Sequence, residues 1–156
     1  MGIRNLVLVL GDQLTTSLSA LSGLDPTRDV VLMVEVRAEA IYVNKHKQKI
    51  AFVLASMRHF AALLRASGLP VDYVQFEDPA NAGDFTGEVV RAVVRHRPER
   101  IVVTEPGEWR VLEIVRRWRE LLGVEGEMSA SHVGRGRARA FAWNTSIEKC
   151  AAKPAC

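Results

Sequence analysis

The sequence predicts an α/β fold, an open parallel sheet of four to five strands with helices on both faces, and three observations carry that expectation. Four short apolar runs, "NLVLVL", "DVVLMVEV", "VDYVQF" and "RIVVT", are continuous or nearly so, as strands buried on both faces read. The stretches between them repeat their apolar residues at helical spacing. Strands alternating with helices build parallel sheets, and right-handed crossovers then bring every strand C-terminus to one edge.

The elements follow in order. Residues 5–10 form the first strand and end at Gly11-Asp12. A polar stretch with Thr15, Thr16 and Ser17 leads into "LSALSGL", read as one or two helical turns. Residues 29–36 are the second strand. In the long helix that follows, Ile50, Val53, Leu54, Met57, Ala61 and Leu64 make one apolar stripe, and Gly68 and Pro70 stop it. Residues 71–76 give a third strand, more alternating than the first two. Asp78, Pro79 and Gly83 mark a loop before a helix from about Asp84 to His96, which presents Phe85, Val89, Ala92 and Val93 inward. The fourth strand is 100–104. "EPGEW" then turns into a last helix with Val111, Ile114, Val115, Trp118 and Leu122 on its buried side.

A fifth strand is expected after Leu122, and none is legible. From residue 129 onward, "SASHVGRGRARAFAWNTSIEKCAAKPAC" has no sustained period and no strand-like run. The domain is therefore bounded at 1–128, with 129–156 read as disordered or foreign to it. Charge supports the division. Residues 1–128 carry 16 Lys and Arg against 17 Asp and Glu, whereas 129–156 carry 5 against 1. The net charge of +3 thus belongs to the tail, and a nucleic-acid interface is not indicated by it. No signal peptide and no membrane-length apolar run is present. Cys150 and Cys156 lie at the extreme C-terminus and imply no disulfide framework, so a reducing cytoplasm is expected.

Ligands of open parallel sheets bind beyond the strand C-termini, near the reversal of strand order. Four segments meet there: Gly11-Asp12-Gln13-Leu14, Glu35 with Arg37, Asp78, and Thr104 to Trp109. Gly11 permits close backbone approach, and Asp12 and Gln13 offer acceptors and an amide donor; a simple turn closing the strand explains them equally. Thr104 or Glu105 reads as the cap of a helix with Pro106 in its first turn, and Trp109 as packing or as a stacking wall. No glycine-rich phosphate loop is present, which disfavours a dinucleotide or ATP.

"AEAIYVNKHKQKIAF" crowds Lys45, His46, Lys47 and Lys49 at the entrance of the long helix, an end that ordinarily favours anions. On a helix Glu39, Tyr42, Lys45 or His46, and Lys49 share one face. They read either as an ion-paired surface or as a pocket wall suited to a planar polar ring with a polyhydroxyl or anionic arm. His59 reads as a partly buried hydrogen-bonding residue at the helix centre, and His96 as a helix-ending cation. No histidine or cysteine falls at metal-ligand spacing, and no nucleophile elbow is present.

"LVLVLGDQL", "VEVRAEAIYVNKHKQKIAFVLASMRHFAALLRASG", "DPANAGDFTGEV" and "VTEPGEWRVLE", in order over about residues 4–122, closely resemble the N-terminal domain of the bacterial photolyase-related family, the iron–sulfur cryptochromes and (6-4) photolyases. The resemblance implies a Rossmann-like antenna domain without the glycine-rich loop. It implies an antenna chromophore, 6,7-dimethyl-8-ribityllumazine, held by Gly11, Asp12, Gln13, Glu35, Glu39, Tyr42, His46 and Lys49, with Glu105 and Trp109 also at the site. In full-length members it implies a further helical domain carrying FAD, a [4Fe–4S] cluster and the DNA cleft for light-driven repair. None of that second domain is legible here, so this chain is expected not to be catalytic, to bind a small-molecule chromophore, and to meet DNA only through the missing domain. The family often reads His-His where this chain has Lys45-His46. Its members continue into a fifth strand and several hundred further residues. A truncated or frame-shifted coding sequence would explain the tail, and the alternative reading is an unstable remnant without activity.

Overall fold

The computed structural model describes residues 2–38 and 46–129. Five parallel strands, β1 (Asn5–Val9), β2 (Asp29–Val34), β3 (Val71–Val74), β4 (Arg100–Thr104) and β5 (Glu125–Ser129), form one sheet in the order β3-β2-β1-β4-β5. Among the described residues the complete helices are α1 (Lys47–Ala66), α2 (Phe85–His96) and α3 (Trp109–Leu121), with a 3-10 turn at Ser19–Leu21. The chain moves outward from β1 through β2 to β3, then crosses back to β4 and continues the other way to β5. The order therefore reverses between β1 and β4, which pair directly from Asn5 with Arg100 to Leu8 with Val103.

Alternation along the strands sorts two cores. Leu6, Leu8, Leu32 and Val34 pack on one face against Val89 and Ala92 of α2 and Val115, Trp118 and Leu122 around α3. Val7, Val9, Val31 and Met33 pack on the other against Met57, Phe60, Ala61 and Leu64 of α1, with Leu18 and Ala20 from the 3-10 turn. Helices thus cover both faces, which is why β1 and β2 have no polar side. At the far end of the sheet, buried Asp29 ties β1 to β2, accepting from Arg4, from the Asn5 N–H (3.1 Å) and from the Asp25 N–H (2.8 Å).

The fifth strand expected after Leu122 is present, although the sequence does not show it, and other expectations need correcting. β5 pairs with β4 from Arg100–Glu125 to Thr104–Ser129, and it runs one residue past the boundary set at 128. Its sequence hides it because it is an edge strand in which only Gly126 is buried, while Glu125 and Glu127 lie 3.4 and 3.8 Å from the Arg100 guanidinium. Charged edges of this kind are how sheets avoid further pairing. Residues 130–156, the bulk of the expected tail, lie outside the described residues. The one or two helical turns expected at 18–24 are one 3-10 turn, Ser19–Leu21.

The long helix begins at Lys47, with His46 in extended backbone (φ −60°, ψ 137°) accepting at Nδ1 from the Gln48 N–H. A single helical register from Glu39 to Lys49 is therefore interrupted at position 46. Glu39, Tyr42 and Lys45 lie outside the described residues. His59 is exposed rather than partly buried, because it points away from the stripe that meets the sheet. His96 does end α2, where its Nε2 lies 2.7 Å from Asp72.

Candidate functional site

A cavity of about 300 Å³ opens at the C-terminal ends of β1 and β2, beside the reversal between β1 and β4. Its size sits at the lower end of small-molecule sites, about 300–1,000 Å³. Leu10 and Gly11 continue β1 into its floor, Asp12 follows at the rim, and Val34, Glu35 and Val36 continue β2. α1 forms one wall with Lys49, Ile50, Val53, Leu54 and Met57, because its first turns overhang the sheet edge. Phe85 at the start of α2 and Pro106, Glu108 and Val111 around the start of α3 close the opposite side. The walls are mainly apolar and the polar groups are few, the composition of a small-molecule site.

Gly11 has a packing reason. A Cβ built there would stand 3.0 Å from Met57 Sδ and 3.6 Å from Val53 Cγ1, so glycine is what lets α1 close over the strand end. Asp12 is exposed at the rim, and neither its carboxylate nor the Lys49 ammonium has a side-chain partner among the described residues. Glu108 accepts from Arg110 at 3.2 Å. Gln13 does not line the cavity. Its amide N–H₂ bridges to the Thr104 and Glu105 carbonyls, both at 3.2 Å, and stitches the β1 loop to the end of β4. Its Oε1 is buried without a partner among the described residues.

Glu35, 1% exposed, is the most heavily bonded side chain at the site. Arg58 donates Nε to Oε1 (2.7 Å) and Nη2 to Oε2 (2.8 Å), the Tyr73 hydroxyl donates to Oε1, and the Phe76 N–H donates to Oε2 (2.7 Å). Burial alone would raise this carboxyl, but the donors outweigh it and hold it below the usual carboxylate range. Burial and the adjacent carboxylate push the Tyr73 hydroxyl well up. Arg58 also reaches Glu77 at 2.8 Å.

Of the site residues expected from the sequence, the structure gathers Gly11, Asp12, Glu35 and Lys49 around the cavity and puts Gln13 beside it. His46 is at the α1 cap and does not line it; Glu39 and Tyr42 lie outside the described residues. Glu105 spends its N–H on the Ser129 carbonyl (2.8 Å), supporting β5. Trp109 is 67% exposed on the outer side of α3, where the Arg116 guanidinium lies 5.1 Å from its ring centre, so it is neither a core residue nor a pocket wall. The α3 cap is Glu108, not Thr104 or Glu105. Thr104 instead joins a hydroxyl cluster with Ser19 (3.1 Å) and Ser129.

Sequence reasoning missed Ile50, Val53, Leu54, Phe85 and Val111 as lining residues, while Pro106 and Glu108 belong to the Thr104–Trp109 segment it placed at this sheet edge. The first three had a signal: they sit at the N-terminal end of the α1 stripe, where a helix longer than its neighbouring strands must overhang. Among the described residues there is no cluster able to hold a metal ion and no helix long and apolar enough to cross a membrane.

Two comparisons relate this chain to known proteins. The family model for "deoxyribodipyrimidine photo-lyase-related protein" matches residues 7–138. A (6-4) photolyase of Agrobacterium fabrum (strain C58 / ATCC 33970) is 57% identical over 109 residues, covering 70% of this chain and 22% of that protein. The chain thus spans less than a quarter of the length of the relative it matches. It belongs to the deoxyribodipyrimidine photolyase-related family.

Proposed function

We propose that residues 2–129 form a light-harvesting chromophore-binding domain of a photolyase-family flavoprotein involved in light-dependent DNA repair, and that this chain alone is not catalytic. The observation carrying the reading is the apolar cavity at the sheet reversal, whose rim bears two polar side chains, Asp12 and Lys49, that the described residues leave unpartnered.

The donor set suits 6,7-dimethyl-8-ribityllumazine. Val34, Val53 and Leu54 offer faces for a planar ring, and removing such a ring from water is favourable at about 25 cal/mol per Å² of apolar surface. Lys49 supplies a donor for ring carbonyl oxygens, and Asp12 supplies an acceptor for ring N–H or ribityl hydroxyls. When bound, the lumazine absorbs light and passes excitation to a flavin. The residues of this chain bind the ring, orient it and exclude water from its faces. FAD, the [4Fe–4S] cluster and DNA contact are proposed for the remainder of the longer family proteins, and cytoplasmic location goes with that role.

Titrating the full chain with 6,7-dimethyl-8-ribityllumazine and following its fluorescence anisotropy tests the reading. Saturable one-to-one binding is expected; a folded chain that leaves the anisotropy unchanged overturns it. An unstable remnant lacking the fifth strand would leave the edge of β4 unpaired and prone to association, whereas β5 covers that edge.

A further inference from the structure

We infer that Glu35 is a positioning residue, which sets the shape of the cavity through Arg58 and Asn81 and makes no carboxylate contact with the ligand. The inference rests on the chromophore-binding reading for its ligand, although the clamp itself stands on geometry alone.

A carboxylate offers about four acceptor positions. At Glu35 four protein donors occupy them, two on each oxygen: Arg58 Nε and the Tyr73 hydroxyl on Oε1, Arg58 Nη2 and the Phe76 N–H on Oε2. The side chain is fully buried, so no lone pair is left facing the cavity that the residue borders. Of its partners, Arg58 lies on α1, which forms a cavity wall, while Tyr73 on β3 and Phe76 just after it hold the carboxylate from the side away from the cavity lining.

Arg58 follows Met57, one turn beyond Val53 and Leu54, the residues with which α1 walls the cavity. Among the described residues, the side-chain hydrogen bonds tying α1 to other elements come from Arg58 and, at the far end of the helix, from Arg65 to the Val71 carbonyl (3.0 Å). The overhanging half of α1 therefore has Arg58 as its polar tether, and Glu35 is where that tether lands.

The second path runs through the backbone. Asn81 Nδ2 donates to the Glu35 carbonyl (2.8 Å) and to the Gln75 carbonyl (2.9 Å). That fixes the loop that delivers Phe85 to the opposite wall. One residue at the end of β2 thus sets the spacing between α1 and the start of α2. Bidentate arginine–carboxylate geometry is directional, so the spacing is specified and not merely held.

The test compares Glu35→Gln, Arg58→Met and the double variant in the full chain. Without ligand, amide hydrogen exchange in segments 50–57 and 76–85 is expected to quicken on the order of tenfold in each single variant, with β4 and β5 unchanged. With 6,7-dimethyl-8-ribityllumazine as probe, each single variant is expected to lose on the order of tenfold in affinity, with the double no worse than either and the bound absorption maximum unmoved. A spectral shift in Glu35→Gln but not Arg58→Met, or losses that multiply in the double variant, would overturn the assignment. Should Glu35→Gln fail to fold, Tyr73→Phe removes one of the four donors and must still quicken exchange at 50–57 without shifting the spectrum; no change in exchange overturns the clamp. If the wild-type chain binds no lumazine, the functional reading falls, while the exchange data still decide the clamp.

Discussion

Trp118 joins the two helices that frame one side of the cavity, and replacing it gives a quantitative check on the fold. The side chain is 1% exposed and its indole Nε1–H donates to Thr86 Oγ1 at 2.9 Å, bridging α3 to the first turn of α2. Deleting a buried Trp or Phe to Ala costs about 3–5 kcal/mol. Trp118→Phe keeps a six-membered ring in place, so roughly half of that, about 2 kcal/mol, is expected from the same volume reasoning. Thr86→Val keeps the shape but strands the indole N–H, at about 1–3 kcal/mol. In the double variant the donor and the acceptor are both gone, so the losses should fall short of additivity by about 1 kcal/mol, the net worth of one hydrogen bond. Urea unfolding followed by far-UV circular dichroism reads all three variants, and for a chain of this size each kcal/mol should lower Tm by about 2–4 °C. Single losses below about 0.5 kcal/mol, or strict additivity, would refute the bridge, since surface substitutions already fall in that range.

Acid should unfold the domain through its paired carboxylates. Burial opposes ionisation of Asp29 and Glu35, but their donors win and both folded values lie below the ordinary ones. Their stabilisation is therefore complete above the unfolded carboxyl range near pH 4 and is lost as pH falls through the folded values. Urea midpoints measured from pH 6 to pH 2 should be flat and then fall, and Asp29→Asn should flatten the fall; an unaltered slope would count against the Arg4–Asp29 pair as its source. At the rim, Lys49→Ala and Asp12→Asn should each weaken lumazine binding by about three- to tenfold, one hydrogen bond's worth, with stability unchanged within about 0.5 kcal/mol. Unchanged affinity in both would remove them from the site.

Much of the architecture was legible because burial on both faces writes itself into continuous apolar strands, and α1, α2 and α3 into helical stripes. β5 was not, since its glutamates answer Arg100 and a glycine supplies its one buried position. The site divided in the same way. Periodicity identifies which side of α1 faces the sheet but not where the sheet ends, so Ile50, Val53 and Leu54 read as core although they line a cavity. Position at the end of β2 and the family resemblance marked Glu35 as a ligand contact, yet its acceptor sites are filled by Arg58 of α1, Tyr73 of β3 and Phe76 in the loop after it, a convergence no local pattern encodes. The cation cluster before α1 resolved in part: Lys49 reaches the cavity, His46 caps the helix.

The most direct test of the account is equilibrium dialysis of 6,7-dimethyl-8-ribityllumazine against the full chain and against Gly11→Leu. A side chain at position 11 would start 3.0 Å from Met57 Sδ and occupy the space between the β1 end and α1. One bound chromophore per wild-type chain is expected, with at least about a hundredfold weaker binding in Gly11→Leu, as overpacking closes a preformed pocket, and with the circular dichroism of the two proteins superimposable. Undiminished binding by folded Gly11→Leu would contradict a chromophore site at the sheet reversal.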